Sequence, residues 1–190
     1  MAQTKVLSSL IICIALALVN PTYVRGEEDY TPIEMIVQLY QDGVVDIEYT
    51  VEADPQEPRL NVTLYGQNYW DPIIFDQDGI PLEYSINTGH IIIDTLGASE
   101  AVITYSTPDL TNKTASTWSL SLNPSVETII LLPEEATILG LEPAPSTIAM
   151  TSTGIIITMP PSSFRITYTL GASGTKDTTL TKINEAEQLI

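Results

Sequence analysis

From Ile33 onward, apolar and polar residues alternate along much of the chain with a period of two, the spacing of a strand that is wet on one face. Val45, Ile47, Tyr49 and Val51 fall on one side of such a strand, and Asp46, Glu48, Thr50 and Glu52 on the other. Ile33, Met35, Val37 and Leu39 repeat the pattern just upstream. Asp42-Gly43 between the two runs offers the positive-φ residue a tight turn needs, so together they predict a β-hairpin. Leu60, Val62 and Leu64 alternate with Asn61, Thr63 and Tyr65, and Trp118, Leu120 and Leu122 with Thr117, Ser119 and Ser121, which predicts two more half-buried strands. Shorter apolar runs at Ile73 to Phe75, Leu82 to Ile86, Ile91 to Ile93 and Ala101 to Tyr105 complete a series of short strands at short intervals.

Thirteen prolines and ten glycines are spread through the chain, frequently at the joints between these runs, where they set turns and blunt sheet edges. The expected fold is therefore all-β: an antiparallel, Ig-like β-sandwich. The stretch Ile91-Ile92-Ile93 followed by Ile103-Thr104-Tyr105 is echoed by Ile155-Ile156-Ile157 and Ile166-Thr167-Tyr168. That echo suggests two tandem related sandwich halves, 27–108 and 109–172, with a boundary among the Pro, Asn, Thr and Ser residues of 106–117, or a single sheet shared by both. Only the tail changes period. Leu180, Ile183, Ala186 and Ile190 recur at helical spacing, predicting a linker and short helix over 173–190.

The first 26 residues read differently. Lys5 precedes an apolar run, Val6 to Val19, interrupted by Ser8-Ser9 and closed by Asn20-Pro21, the pattern of a signal peptide. The run falls short of the ~20 residues a helix needs to span a bilayer, and no later stretch is apolar enough. Val24-Arg25-Gly26 favours cleavage before Glu27; cleavage after Ala15-Leu16-Ala17 and an uncleaved anchor are the alternatives. Cys13 lies inside the run, so residues 27–190 contain no cysteine and no disulfide can staple them.

Charge narrows the partners. The chain has 24 acidic residues against 7 basic ones, a net −17, and only Arg59, Lys113, Arg165, Lys176 and Lys182 are basic beyond the signal. Such a surface repels nucleic acid and anionic lipid. It suits a secreted domain that must stay soluble in saline surroundings, or one that holds cations.

Few motifs carry chemistry. Asp76-x-Asp78-Gly79 has the opening ligands and turn glycine of a calcium loop, with Asp71 and Glu83 as candidate additions; it reads equally as a hairpin turn. Tyr65, Tyr69 and Trp70, with Gln67 and Asn68 among them, form an aromatic and amide loop suited to stacking on a sugar or anchoring a partner. Asn61-Val62-Thr63 and Asn112-Lys113-Thr114 are acceptors for N-linked glycan, Asn61 on a polar strand face and Asn112 in a loop. His90 is the one histidine, no cysteine follows the signal, and Gly-x-Ser-x-Gly is absent, which argues against cysteine, zinc and serine-triad chemistry. No cofactor other than calcium is implied.

The signal, the acidic cysteine-free chain and the paired strand-rich halves over residues 30 to 170 resemble the extracytoplasmic β-sandwich regions of prokaryotic, particularly archaeal, cell-envelope proteins. The resemblance rests on pattern and composition and carries no functional residue across. It implies a secreted or cell-envelope protein that is not an enzyme and acts in binding, adhesion or surface assembly, with a protein or glycan at the cell surface as partner. Self-association is a further option, for which the extended segment Glu27 to Ile36 would donate a strand. A carboxylate-based extracellular hydrolase, or a sensory or helper ectodomain for a membrane partner, is the alternative.

Overall fold

The computed structural model describes residues 30–152 and 154–171. The expected cleavage site and the tail helix lie outside them. Within the described residues the chain is all-β, with fourteen strands: β1 (Thr31–Leu39), β2 (Val45–Glu52), β3 (Arg59–Thr63), β4 (Trp70–Asp76), β5 (Tyr84–Asn87), β6 (His90–Asp94), β7 (Glu100–Thr107), β8 (Thr111–Thr114), β9 (Thr117–Leu122), β10 (Thr128–Leu131), β11 (Ala136–Glu142), β12 (Thr147–Thr151), β13 (Gly154–Met159) and β14 (Phe164–Leu170).

The hairpin read from the alternation is β1–β2, paired from Leu39↔Val45 outward. Its turn is closed by Gly43 N–H to the Tyr40 carbonyl (3.2 Å) and by Val44 N–H to the Asp42 carboxylate (3.0 Å). Gly43 has φ 90°, and a Cβ there would overlap the Trp118 ring and lie 2.9 Å from Thr111 Oγ1. Only glycine fits both the backbone conformation and the space. Met35, Val37 and Leu39 are buried as the pattern requires, but Ile33 is 46% exposed. The register shifts between Pro32 and Glu34, and this irregularity takes Ile33 out of the buried row.

Three sheets result. The largest has the order β12-β13-β10-β1-β2-β7-β4; the others are β11-β14-β9-β8 and β3-β6-β5. Every pairing is antiparallel except β1 with β10, which run parallel from Met35↔Thr128 to Gln38↔Leu131. That parallel seam joins strands of 27–108 to strands of 109–172 in a single seven-stranded sheet. It also holds β1 between two neighbours from Met35 to Gln38, so of the segment considered for strand donation, Met35 and Ile36 are paired on both sides within their own chain, and Thr31, Pro32 and Glu34 pair with β2.

Inward side chains from all three sheets form one apolar cluster, including Ile47, Tyr49 and Ile103 from the large sheet, Leu60, Ile91 and Ile93 from the small one, and Leu120, Ile166 and Tyr168 from the third. At about 1.5–3 kcal/mol for each fully buried aliphatic or aromatic side chain, this cluster is the dominant stabilising term. The exposed Arg59–Asp94 ion pair (2.8 Å) contributes under about 1 kcal/mol by comparison. No helix among the described residues is long and apolar enough to cross a membrane.

Candidate functional site

Because the inner face of the seven-stranded sheet is buried, its alternate residues form an outward face. Trp70, Ser106, Asp46 and Gln38 are cross-strand neighbours in one row over β4, β7, β2 and β1, and Ile73, Thr104, Glu48 and Ile36 in the next. Three strand steps separate Trp70 from Gln38, roughly 14 Å. An open groove of about 340 Å³ runs over these rows, lined by Gln38, Asp46, Glu48, Asp71, Thr104 and Ser106 among others. Its polar lining is held in place. Ser106 Oγ donates to Asp46 Oδ1 (2.5 Å) and the Tyr40 hydroxyl to Asp46 Oδ2 (2.7 Å). The bond to the Asp46 carboxylate, followed by partial burial, raises the Tyr40 pKa above its ordinary value, so this hydroxyl stays a donor.

Two exposed aromatics adjoin lining residues of the groove, Trp70 in register with Ser106 and Tyr40 bonded to Asp46. Trp70 is 48% exposed and Tyr40 44% exposed. Trp70 begins β4, and the register of β4 on β7 shifts between Trp70 and Ile73, with Asp71 at φ 50° and Pro72 inside the irregularity. This bulge brings the Asp71 side chain into the groove beside Asp46 and Glu48. Two neighbouring hollows share Gln38 with the groove and are both lined by Tyr40; one of them is separately bounded by Leu131, Thr151 and Ile156.

The aromatic loop divides into separate roles. Tyr65 and Tyr69 pack partly buried against the core. The Tyr65 ring meets Tyr49 edge-on at 5.9 Å, and Tyr69 meets Tyr105 at 5.5 Å. The buried Tyr105 hydroxyl accepts the Tyr65 N–H (2.9 Å) and donates to the Tyr65 carbonyl (3.1 Å), and burial raises its pKa. Of the three aromatics, Trp70 is the one that presents its ring to solvent.

Asp109 organises the loop, a role sequence reasoning missed. Its Oδ2 accepts the backbone N–H groups of Gln67 and Asn68 (2.7 Å each), and Oδ1 accepts from Asn68 Nδ2 (3.0 Å). These bonds, the Asn68 backbone first, hold its pKa below the usual carboxylate value. The signal was faint: one Asp following Pro108, forty residues from the loop it ties.

The other predicted residues are dispersed. Asp76 ends β4, where its Oδ1 accepts the N–H groups of Asp78 (2.9 Å) and Ile80 (2.8 Å), and Gly79 takes φ 78°. These bonds make a tight Asx-type turn. Asp71 stands five residues away along β4, roughly 16 Å, and belongs to the groove instead. Glu83 is exposed just before β5. Among the described residues no three His, Cys, Asp or Glu side chains gather as a metal site. Asn61 is exposed on β3 as expected, whereas Asn112 lies in the edge strand β8 rather than in a loop and is also exposed. His90 is exposed at the start of β6, with Nδ1 3.5 Å from Thr63 Oγ1.

No family model matches the chain, and no curated protein does. Among solved structures it is similar to the M1 zinc metallopeptidase from Deinococcus radiodurans, at 12% identity over 76% of this chain and a TM-score of 0.49. A single-residue variant of that peptidase gives 0.51, and the same variant bound to a Tyr-Ser-Ala substrate 0.50, at the same identity and coverage. The match spans 43% of the length of those chains. At this identity the likeness concerns the path of the strands alone.

Proposed function

We propose that this chain is a secreted or cell-envelope-associated, non-enzymatic β-sandwich module that binds a hydroxyl-rich ligand of the glycan type on the outer face of its seven-stranded sheet. The observation that carries this reading is the groove itself, lined by the carboxylates of Asp46, Glu48 and Asp71, the Gln38 amide and the hydroxyls of Thr104 and Ser106, with the exposed Trp70 at the next register position beyond Ser106. A flat indole stacks on the apolar face of a pyranose, while carboxylates and an amide accept from and donate to its ring hydroxyls. The groove is open and shallow, a shape that admits a chain lying along the surface rather than an enclosed small molecule. The signal-like N-terminus, the acidic surface and the two exposed glycan acceptors, Asn61 and Asn112, agree with an extracytoplasmic setting.

Binding is favoured over hydrolysis. A glycosidase acid needs a carboxyl made reluctant to ionise by an apolar enclosure, and Glu48 and Asp71 are exposed. Asp46 is already engaged through both oxygens, which suits a fixed acceptor better than a proton shuttle. Calcium at Asp76 and Asp78 remains a secondary proposal, because the Asp76 oxygen that would ligate it caps the turn.

Affinity electrophoresis through gels containing soluble neutral glucans, mannans or xylans tests the reading. The chain is expected to be retarded by at least one polymer, with retardation reduced about tenfold in Trp70→Ala, a change at an exposed ring that leaves the core intact. If no polymer retards the chain, or Trp70→Ala migrates as the parent does, the groove is not a glycan site.

A further inference from the structure

The ends of the seven-stranded sheet are built differently. At one end β4 carries Pro72, a bulge and two aspartates, Asp71 and Asp76, and is partly covered by the Phe75↔Pro81 bridge and the Leu82 N–H to the Ile74 carbonyl (2.9 Å). These devices keep a foreign strand from pairing. At the other end β12, Thr147–Thr151, has the sequence TIAMT, with no charge, proline, glycine or register shift. The outer strands of the smaller sheets are also defended: β11 by a register shift and Glu142, β8 by Lys113, and β3 by Arg59. β5 is four residues long and is tied to β4 by the Tyr84 hydroxyl on the Pro72 carbonyl (2.7 Å).

The side chains of β12 point to the same conclusion. Ile148 and Met150 pair with Ile157 and Ile155 on the inner face of the sheet, yet they are 51% and 85% exposed. A strand added beyond β12 would set its own inward residues beside them and extend the apolar row. The charge around the edge selects the occupant. Ser146 Oγ lies 3.4 Å from the exposed Glu127 carboxylate at the start of β12. The exposed Glu134 follows the Leu132 carbonyl against which Gly154 is packed, at the far end. A second copy of a chain with net charge −17 would meet this edge with repulsion.

We infer that β12 is an acceptor edge for strand addition by a separate protein, whose docking segment is extended, apolar at alternate positions and basic at its ends. The ladder hydrogen bonds supply affinity, Ile148 and Met150 read the inward side chains, and Glu127 and Glu134 set the charge preference. This inference stands apart from the glycan groove, which lies over β4, β7, β2 and β1.

The test uses the full chain and a fluorescein-labelled peptide, Lys-Thr-Ile-Thr-Val-Thr-Lys, followed by anisotropy, with amide hydrogen exchange read over 147–151. Saturable binding is expected, with new protection of the β12 amides. Affinity should fall at least tenfold in Met150→Lys, and also in Glu127→Lys with Glu134→Lys, while binding to the same peptide with Glu at both ends is lost. Met150 is solvent-exposed, so its replacement leaves the fold intact, which circular dichroism verifies. Absence of binding, unchanged affinity in Met150→Lys, or equal binding of the Glu-ended peptide overturns the inference. So does binding that emerges only after residues 172–190 are deleted, which assigns the edge to the chain's own tail, or concentration-dependent dimerisation lost in Met150→Lys, which assigns it to a second copy.

Discussion

Asp109 shows how much a single exposed carboxylate can determine. It is the acceptor for two backbone N–H groups and an amide in the loop that leads into Trp70, so the loop conformation depends on its charge. Its folded-state pKa is depressed, and the stabilisation it provides is therefore present above the unfolded value of about 3.9 and lost as pH falls through the lower folded value. Acid should release the loop in that window while the core persists. Fluorescence of Trp70 in a Trp118→Phe background is expected to show a transition with its midpoint below about 3.9. In Asp109→Asn, which leaves an acceptor but no charge, that transition should vanish.

Gly43 carries a comparable burden for the β1–β2 hairpin, because its turn packs directly against β8 and β9 of the four-stranded sheet. Thr111 Oγ1 donates to the Gly43 carbonyl (2.5 Å), and the Trp118 ring, under the Lys113 ammonium at 4.8 Å, closes over the same residue. Gly43→Ala is expected to cost about 2 kcal/mol or more, from the positive φ and the overlap with Trp118 together. Urea denaturation measures it, and a cost under about 0.5 kcal/mol would show that the turn relaxes freely. The hairpin, β3 and β9 were legible in the sequence because each has one buried and one wet face, and alternation reports that difference directly; β7 was legible as a short apolar run. The all-β sandwich expected from it is the fold observed. Strands β8 and β12 were not read from the sequence: β8 is polar throughout, and β12 is a five-residue strand exposed on both faces. The parallel β1–β10 seam was unreadable for another reason: strands ninety residues apart register through tertiary packing, not through any local turn. Ile33 obeyed the alternation and still emerged exposed, because a bulge resets the period without altering composition.

Across the molecule, the seven-stranded sheet divides the work between its faces and its ends. The inner face is spent on the core except at β12, where Ile148 and Met150 stay exposed, leaving function to the outer face and the margins. Trp70 was visible in the sequence as an aromatic in a loop, but its neighbours in the groove come from four strands, and only the pairing of β1, β2, β7 and β4 brings Gln38, Asp46, Ser106 and Asp71 together. No motif spacing encodes such a surface. Two-dimensional amide NMR during titration with oligosaccharide fragments of glucan, mannan and xylan reads that surface directly. The perturbed amides should cluster at Gln38, Asp46, Glu48, Trp70, Asp71 and Ser106 and leave β12 and β14 unchanged. Perturbations confined to another face, or none with any fragment, would contradict a binding module that works through its outer sheet.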